Sequence, residues 1–144
     1  MVGYPDTSFL VSLYGRDAHS ARAHQIGSAL TAPLVFTTLH RHEARNACRL
    51  AVFRKEISPD ECQAVLAAID DDVKTGVLVD TPVTWAEVFE LGDTLSAAHT
   101  VALGTRATDI LHVAAASVLG ANVFFTFDAR QAALARKVGL KVKP

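Results

Sequence analysis

Short β-rich runs alternate with helical segments along this chain, and that alternation limits the fold more than any other feature. Residues 2–5, 34–38, 77–80, 122–126 and 140–142 read as strands. The first carries Pro5 at its end, where a missing amide is tolerated. Between them, apolar periodicity predicts helices over residues 6–15, 17–30, 39–55, 59–76, 84–103, 108–119 and 128–138. Ser58-Pro59-Asp60-Glu61 is a start signal and Gly76 a stop signal, while Gly92 is expected to interrupt the helix that contains it. The segment 108–119 is apolar nearly all round and is therefore expected to be central and buried. Strands alternating with helices imply an α/β fold with a mainly parallel sheet, whose functional crevice lies at the carboxyl ends of the strands. With no repeat, low-complexity tract or linker, residues 1–144 are read as a single domain.

Four acids stand out against this frame: Asp6, Glu43, Asp109 and Asp128. Asp6 and Asp128 each follow a strand directly, and Asp109 falls in a first helical turn. Each of the three also has a structural explanation. Asp6 can cap the helix beginning at Thr7, Asp128 with Gln131 fits a capping box, and Asp109 suits the macrodipole. Glu43 resists such a reading. Leu39, Glu43, Asn46, Ala47 and Leu50 fall on one helix face, taken here as core-facing, where an unpaired carboxylate is costly. Carboxylates gathered from four distant stretches stay ionised together when a cation sits among them, so the pattern points to a metal site. Ser8 and Thr126, each two residues from an acid, are candidates to position an acid or a water, and Asn46 lies on the face of Glu43.

Other residues constrain the chemistry less. Arg41, Arg45 and Arg49 lie on the opposite face from Glu43 and read as a solvated stripe. His40 and His42 flank Glu43, but Asn46 occupies the position a zinc-protease motif reserves for histidine. His112 reads as a structural histidine on an apolar helix. The net charge of −1 does not announce a nucleic-acid binder, yet neutralising four carboxylates leaves the remainder weakly basic, which permits a polyanionic substrate. The start of the chain lacks the basic region of a signal peptide, and no apolar run approaches a membrane span. Two isolated cysteines without metal spacing agree with a reduced, cytoplasmic context.

Asp6-Thr7-Ser8-Phe9-Leu10, Glu43 on its helix, Asp109 within residues 105–116, and the run Thr126 to Gln131 together resemble the PIN-domain family. In order, spacing and length they are similar to VapC-type toxins of bacterial toxin–antitoxin pairs. The resemblance covers essentially the whole chain, with one departure: Gly3-Tyr4-Pro5 replaces the longer aliphatic run usual before the first aspartate. It implies a three-layer α/β/α sandwich and a Mg²⁺- or Mn²⁺-dependent endoribonuclease. It further implies that Asp6, Glu43, Asp109 and Asp128 form the acidic quartet and that Thr126 is the hydroxyl residue of the last motif. An RNA substrate, a small antitoxin that blocks the site, and a homodimer are the implied partners. Two alternatives stand beside this reading: a PIN-like nuclease of RNA maturation, and a non-catalytic metal-binding regulatory module. A phosphate-accepting receiver domain is set aside, because Asp6 has no adjacent acid and no lysine follows Thr126 before Lys137.

Overall fold

The computed structural model describes residues 2–144. Among them the element order is β1 (Gly3–Pro5), α1 (Thr7–Tyr14), α2 (Ser20–Ser28), β2 (Leu34–Phe36), α3 (Thr38–Phe53), α4 (Pro59–Thr75), β3 (Leu78–Asp80), α5 (Trp85–Leu103), α6 (Ala107–Val118), β4 (Val123–Phe125), α7 (Ala129–Lys137) and β5 (Lys141–Lys143). The strands form a five-stranded sheet of order β3-β2-β1-β4-β5, and β1–β4, β4–β5 and β2–β3 pair in parallel. The architecture is the expected α/β/α sandwich, with element ends displaced by up to three residues from the sequence reading. By internal contacts the chain divides into two compact units: the stretch up to Asp6 with Pro82–Pro144, and Thr7–Thr81.

The first unit holds β1, β4, β5 and α5 to α7. Tyr4 is paired in register with Phe124, and the two rings stack with centroids 5.7 Å apart and planes 7° from parallel. The Tyr4 hydroxyl lies 2.8 Å from Nδ1 of the buried His112, so this histidine is spent inside the core, as its apolar helix suggests. Helix α6 buries Ile110 and the run Val113 to Ala116, which explains its apolar circumference. Helix α5 does not break at Gly92. Gly92 is buried on the face that packs on α6, where an added Cβ would make ordinary contact with Leu111 Cδ2 at 3.4 Å, and the helix carries the glycine at a propensity cost of about 1 kcal/mol. The helix ends instead at Gly104, in the left-handed region at φ +66°.

The second unit holds α1 to α4 with β2 and β3. Ser58 and Glu61 form the reciprocal capping box at the start of α4. Two members of the arginine stripe are not merely solvated. Arg41 and Arg45 approach Asp70 at 3.6 and 3.7 Å, and Arg41 also lies over the Phe36 ring at 5.1 Å. Arg49 alone of the three is exposed. Helix α3 packs on α1 and α4 and buries His40, Ala44 and Cys48.

Burial first, and the neighbouring Cys62 second, push the Cys48 thiol up to about 11. Only the thiolate reacts, so Cys48 is expected to resist alkylation at pH 8 until the protein unfolds. Mass spectrometry after brief iodoacetamide treatment, with and without denaturant, checks this; rapid labelling of native protein would contradict it. Among the described residues no helix is long and apolar enough to cross a membrane.

Candidate active site

Strand β1 stops at Pro5 and delivers Asp6 to the carboxyl end of the sheet. The Asp6 amide donates to the Phe125 carbonyl at 2.9 Å, carrying the β1–β4 ladder one residue further. Its side chain is 3% exposed, and Oδ2 accepts from the Thr126 hydroxyl at 2.7 Å. Thr126 follows β4 and is equally enclosed. Its Oγ1 accepts from the Asp128 amide at 3.0 Å, so the turn out of β4 fixes the hydroxyl while leaving its hydrogen to give. Two acceptors compete for that hydrogen, Asp6 Oδ2 and Gln131 Oε1 at 2.9 Å, and the shorter bond to a carboxylate is the stronger.

Gln131 is the residue that sequence reasoning misassigned. It is completely buried, and its side chain does not close a capping box with Asp128. Its Nε2 donates to the Asp109 main-chain carbonyl at 3.2 Å while its Oε1 faces Thr126. Gln131 thus ties the first turn of α6 to the turn after β4. Turning its amide over would set its oxygen against the Asp109 carbonyl, which fixes the orientation. The signal available in sequence was a polar side chain on the buried line Gln131, Leu134, Ala135 of α7.

Asp128 is the N-cap of α7, its Oδ1 accepting from the Gln131 amide at 2.8 Å. Asparagine caps as well as aspartate, so Asp128→Asn should change stability by no more than about 0.5 kcal/mol, whereas Asp128→Ala should cost about 1 kcal/mol. Urea denaturation separates the two; an equal loss in both would mean the charge, not the cap, matters there. Asp109 occupies the third position of α6, with its side chain 20% exposed and Oδ2 held by Arg106 Nε at 3.0 Å.

Glu43 lies on α3 in the second unit, and its setting corrects the sequence reading. The buried line of that helix runs through His40, Ala44 and Cys48, whereas Asn46 and Leu50 are exposed and Leu39 and Glu43 are half-buried. The face carrying Glu43 is therefore not the core face. Its Oε1 accepts from the Thr7 hydroxyl at 2.8 Å. The Thr7 hydroxyl of the opening motif thus meets an acid, while Ser8 and Asn46 are exposed. His40 is completely buried and belongs to the helix cap, with Nδ1 2.8 Å from the Thr37 hydroxyl.

Two apolar cavities of about 550 and 450 Å³ in the second unit contain none of the four acids. A polar cavity of about 400 Å³ in the first unit is lined by Asp109, Asp128, Arg106 and Arg130. Among the described residues no three His, Cys, Asp or Glu side chains form a ready-made cage for a metal ion. Asp6, Asp109 and Asp128 are instead linked through Thr126, Gln131 and the backbone.

The fold is similar to that of three solved structures. The first is Mycobacterium tuberculosis VapC20, described as a Sarcin-Ricin loop cleaving toxin, at 21% identity, 99% coverage of each chain and a TM-score of 0.72. The second is VapBC2 from Rickettsia felis bound to a DNA fragment from their promoter, at 13% identity, with 99% of this chain and 98% of that one covered and a TM-score of 0.64. The third is FitAcB from Neisseria gonorrhoeae, at 12% identity, with 100% and 97% covered and a TM-score of 0.62. At such identities the likeness is one of fold. No curated protein matches the chain in sequence. One family model spans both units, matching residues 3–137, and by that match the chain belongs to the PIN domain family.

Proposed function

We propose that this chain is a divalent-metal-dependent endoribonuclease, the toxin of a toxin–antitoxin pair. The observation that carries the reading is the treatment of Asp6. A carboxylate only 3% exposed at a strand's carboxyl end, with Thr126 fixing its Oδ2, is costly to bury ionised and is stabilised most where a cation meets its charge. Membership of the PIN family and the fold shared with a toxin described as cleaving the Sarcin-Ricin loop support the same conclusion.

The donor set fits a hard cation. Carboxylate oxygens suit Mg²⁺ or Mn²⁺, and Mg²⁺ keeps several waters while using only a few protein ligands, so no closed protein cage is required. Asp6 and Asp109 are assigned as the principal ligands. Asp128 and Glu43 are assigned to a second ion or to ordered water, Glu43 on the family's order of motifs. When bound, the cation supplies a water of lowered pKa and neutralises charge on the phosphodiester. The chain's own contribution is placement. Thr126 orients the Asp6 carboxylate, and Gln131 fixes the α6 backbone at Asp109. Ser8 and Asn46, both exposed, are assigned as supporting residues within reach of substrate.

RNA is the substrate class, held through its phosphates and therefore in a salt-sensitive manner. A small antitoxin that covers the site is the proposed protein partner; the VapBC2 and FitAcB structures support this part. The proposal includes a homodimer, for which exposed Phe53, Phe89 and Val101 offer apolar surface, and a cytoplasmic location, with which two free cysteines agree. The test is incubation of the purified chain with mixed cellular RNA and Mg²⁺ or Mn²⁺. Discrete fragments, suppressed at high salt, are expected. Confirmed metal binding with intact RNA would instead favour the regulatory module.

A further inference from the structure

Asp109 and Asp128 share their cavity with two arginines, and one of these already occupies an acid. Arg106 is the N-cap residue of α6, yet its side chain makes no cap bond. Its Nε donates instead to Asp109 Oδ2 at 3.0 Å. The two partners are unequally enclosed, with the Arg106 side chain 78% exposed and that of Asp109 only 20%. A guanidinium so exposed keeps most of its hydration, and ion pairs of this kind are weak and readily exchanged. Arg130, in the first turn of α7, is also exposed, and its Nη1 would lie 3.9 Å from a Cβ placed on Gly104, against the α5–α6 turn.

The cavity therefore balances two fixed negative charges with two movable positive ones. A divalent cation arriving at Asp109 needs the carboxylate that Arg106 holds, and it repels the guanidinium. Guanidinium groups remain charged and match phosphate oxygens with a planar fork, so a displaced Arg106 has an evident second partner in a bound nucleic acid. We propose that Arg106 is an exchangeable counter-ion: it covers Asp109 in the metal-free protein, leaves when a divalent cation takes that carboxylate, and then joins Arg130 in holding the RNA phosphate beside the scissile bond. The phosphate half rests on the ribonuclease reading; the exchange half rests on the Asp109–Arg106 geometry alone.

The experiment is calorimetric titration of Mn²⁺ into the metal-free chain without RNA, followed by cleavage measured across a salt series. Arg106→Gln should bind Mn²⁺ about two- to five-fold more tightly than wild type, because a weak competitor has gone. Arg106→Lys keeps the charge and should fall between them. In the salt series, each of Arg106→Gln and Arg130→Gln should flatten the logarithmic dependence of kcat/KM by about 0.7, one single-strand phosphate contact. A purely structural Arg106 would lower the melting temperature and leave Mn²⁺ affinity equal or weaker, and that result overturns the exchange. Unchanged salt slopes overturn the phosphate half. If the wild-type chain cuts no RNA although Arg106→Gln gains Mn²⁺ affinity, the ribonuclease reading and the phosphate half fall while the exchange stands.

Discussion

Asp6→Asn should remove RNA cleavage and leave the fold in place. Asparagine has the shape of aspartate and its oxygen can still accept from Thr126, so the buried packing around position 6 survives. What disappears is the charge, and with it a principal anionic ligand. Loss of an outer partner of a metal ligand typically costs about 10- to 100-fold, and loss of a charged ligand itself should exceed that. Burying a neutral amide is also less costly than burying a carboxylate, so the melting temperature of the metal-free protein should hold or rise. Cleavage at the wild-type rate would remove Asp6 from the site. A fall in melting temperature with cleavage intact would make it a structural residue instead.

Gln131→Leu carries the second large effect. The replacement has a similar volume but removes the Gln131 hydrogen bond to the Asp109 carbonyl and the alternative acceptor for the Thr126 hydroxyl, and sets an apolar side chain among these polar groups. A lost hydrogen bond costs about 0.5–1.5 kcal/mol, a drop of a few degrees in melting temperature for a chain of this size. Activity should fall with it, by roughly 10- to 100-fold, because Asp109 loses the tie that orients its helical turn. Gln131→Glu provides a finer comparison: it keeps the length but loses the donor to the Asp109 carbonyl. Scanning calorimetry and cleavage assays on the two variants check this. Wild-type stability and rate in Gln131→Leu would show that the bridge has no role.

These two positions also show what the sequence made legible. Asp6 was visible because a strand-like run, an acid and a helical pattern follow one another directly, and strand–helix order needs only local periodicity. The same holds for the Ser58–Glu61 capping box and for Gly76, where the local rule and the final structure agree. Gln131 was visible only as a capping partner, because its true contacts lie 5 and 22 residues away, at Thr126 and Asp109. Which face of α3 is buried was misread for a related reason. Its inner line is built from a histidine, an alanine and a cysteine, which apolar periodicity weighs lightly, while Leu50 on the outer face is weighed heavily. Packing against α1 and α4 decided the matter. A break at Gly92 follows from propensity alone, which knows nothing of the packing of α5 on α6 that holds the helix continuous.

The ion pairs were equally hidden. Arg41 and Arg45 meet Asp70, and Arg106 meets Asp109, so of five arginines that matter here, three have a carboxylate partner. Arg49, Arg106 and Arg130 keep the exposed character that a charged stripe suggests.

The most direct test of the central claim is the rate of RNA cleavage as Mn²⁺ is returned to EDTA-treated protein. If carboxylates centred on Asp6 and Asp109 cut RNA by holding a divalent cation, the rate starts near zero and rises to saturation with added metal. A rate that is already full in EDTA, or that ignores the titration, would contradict the account.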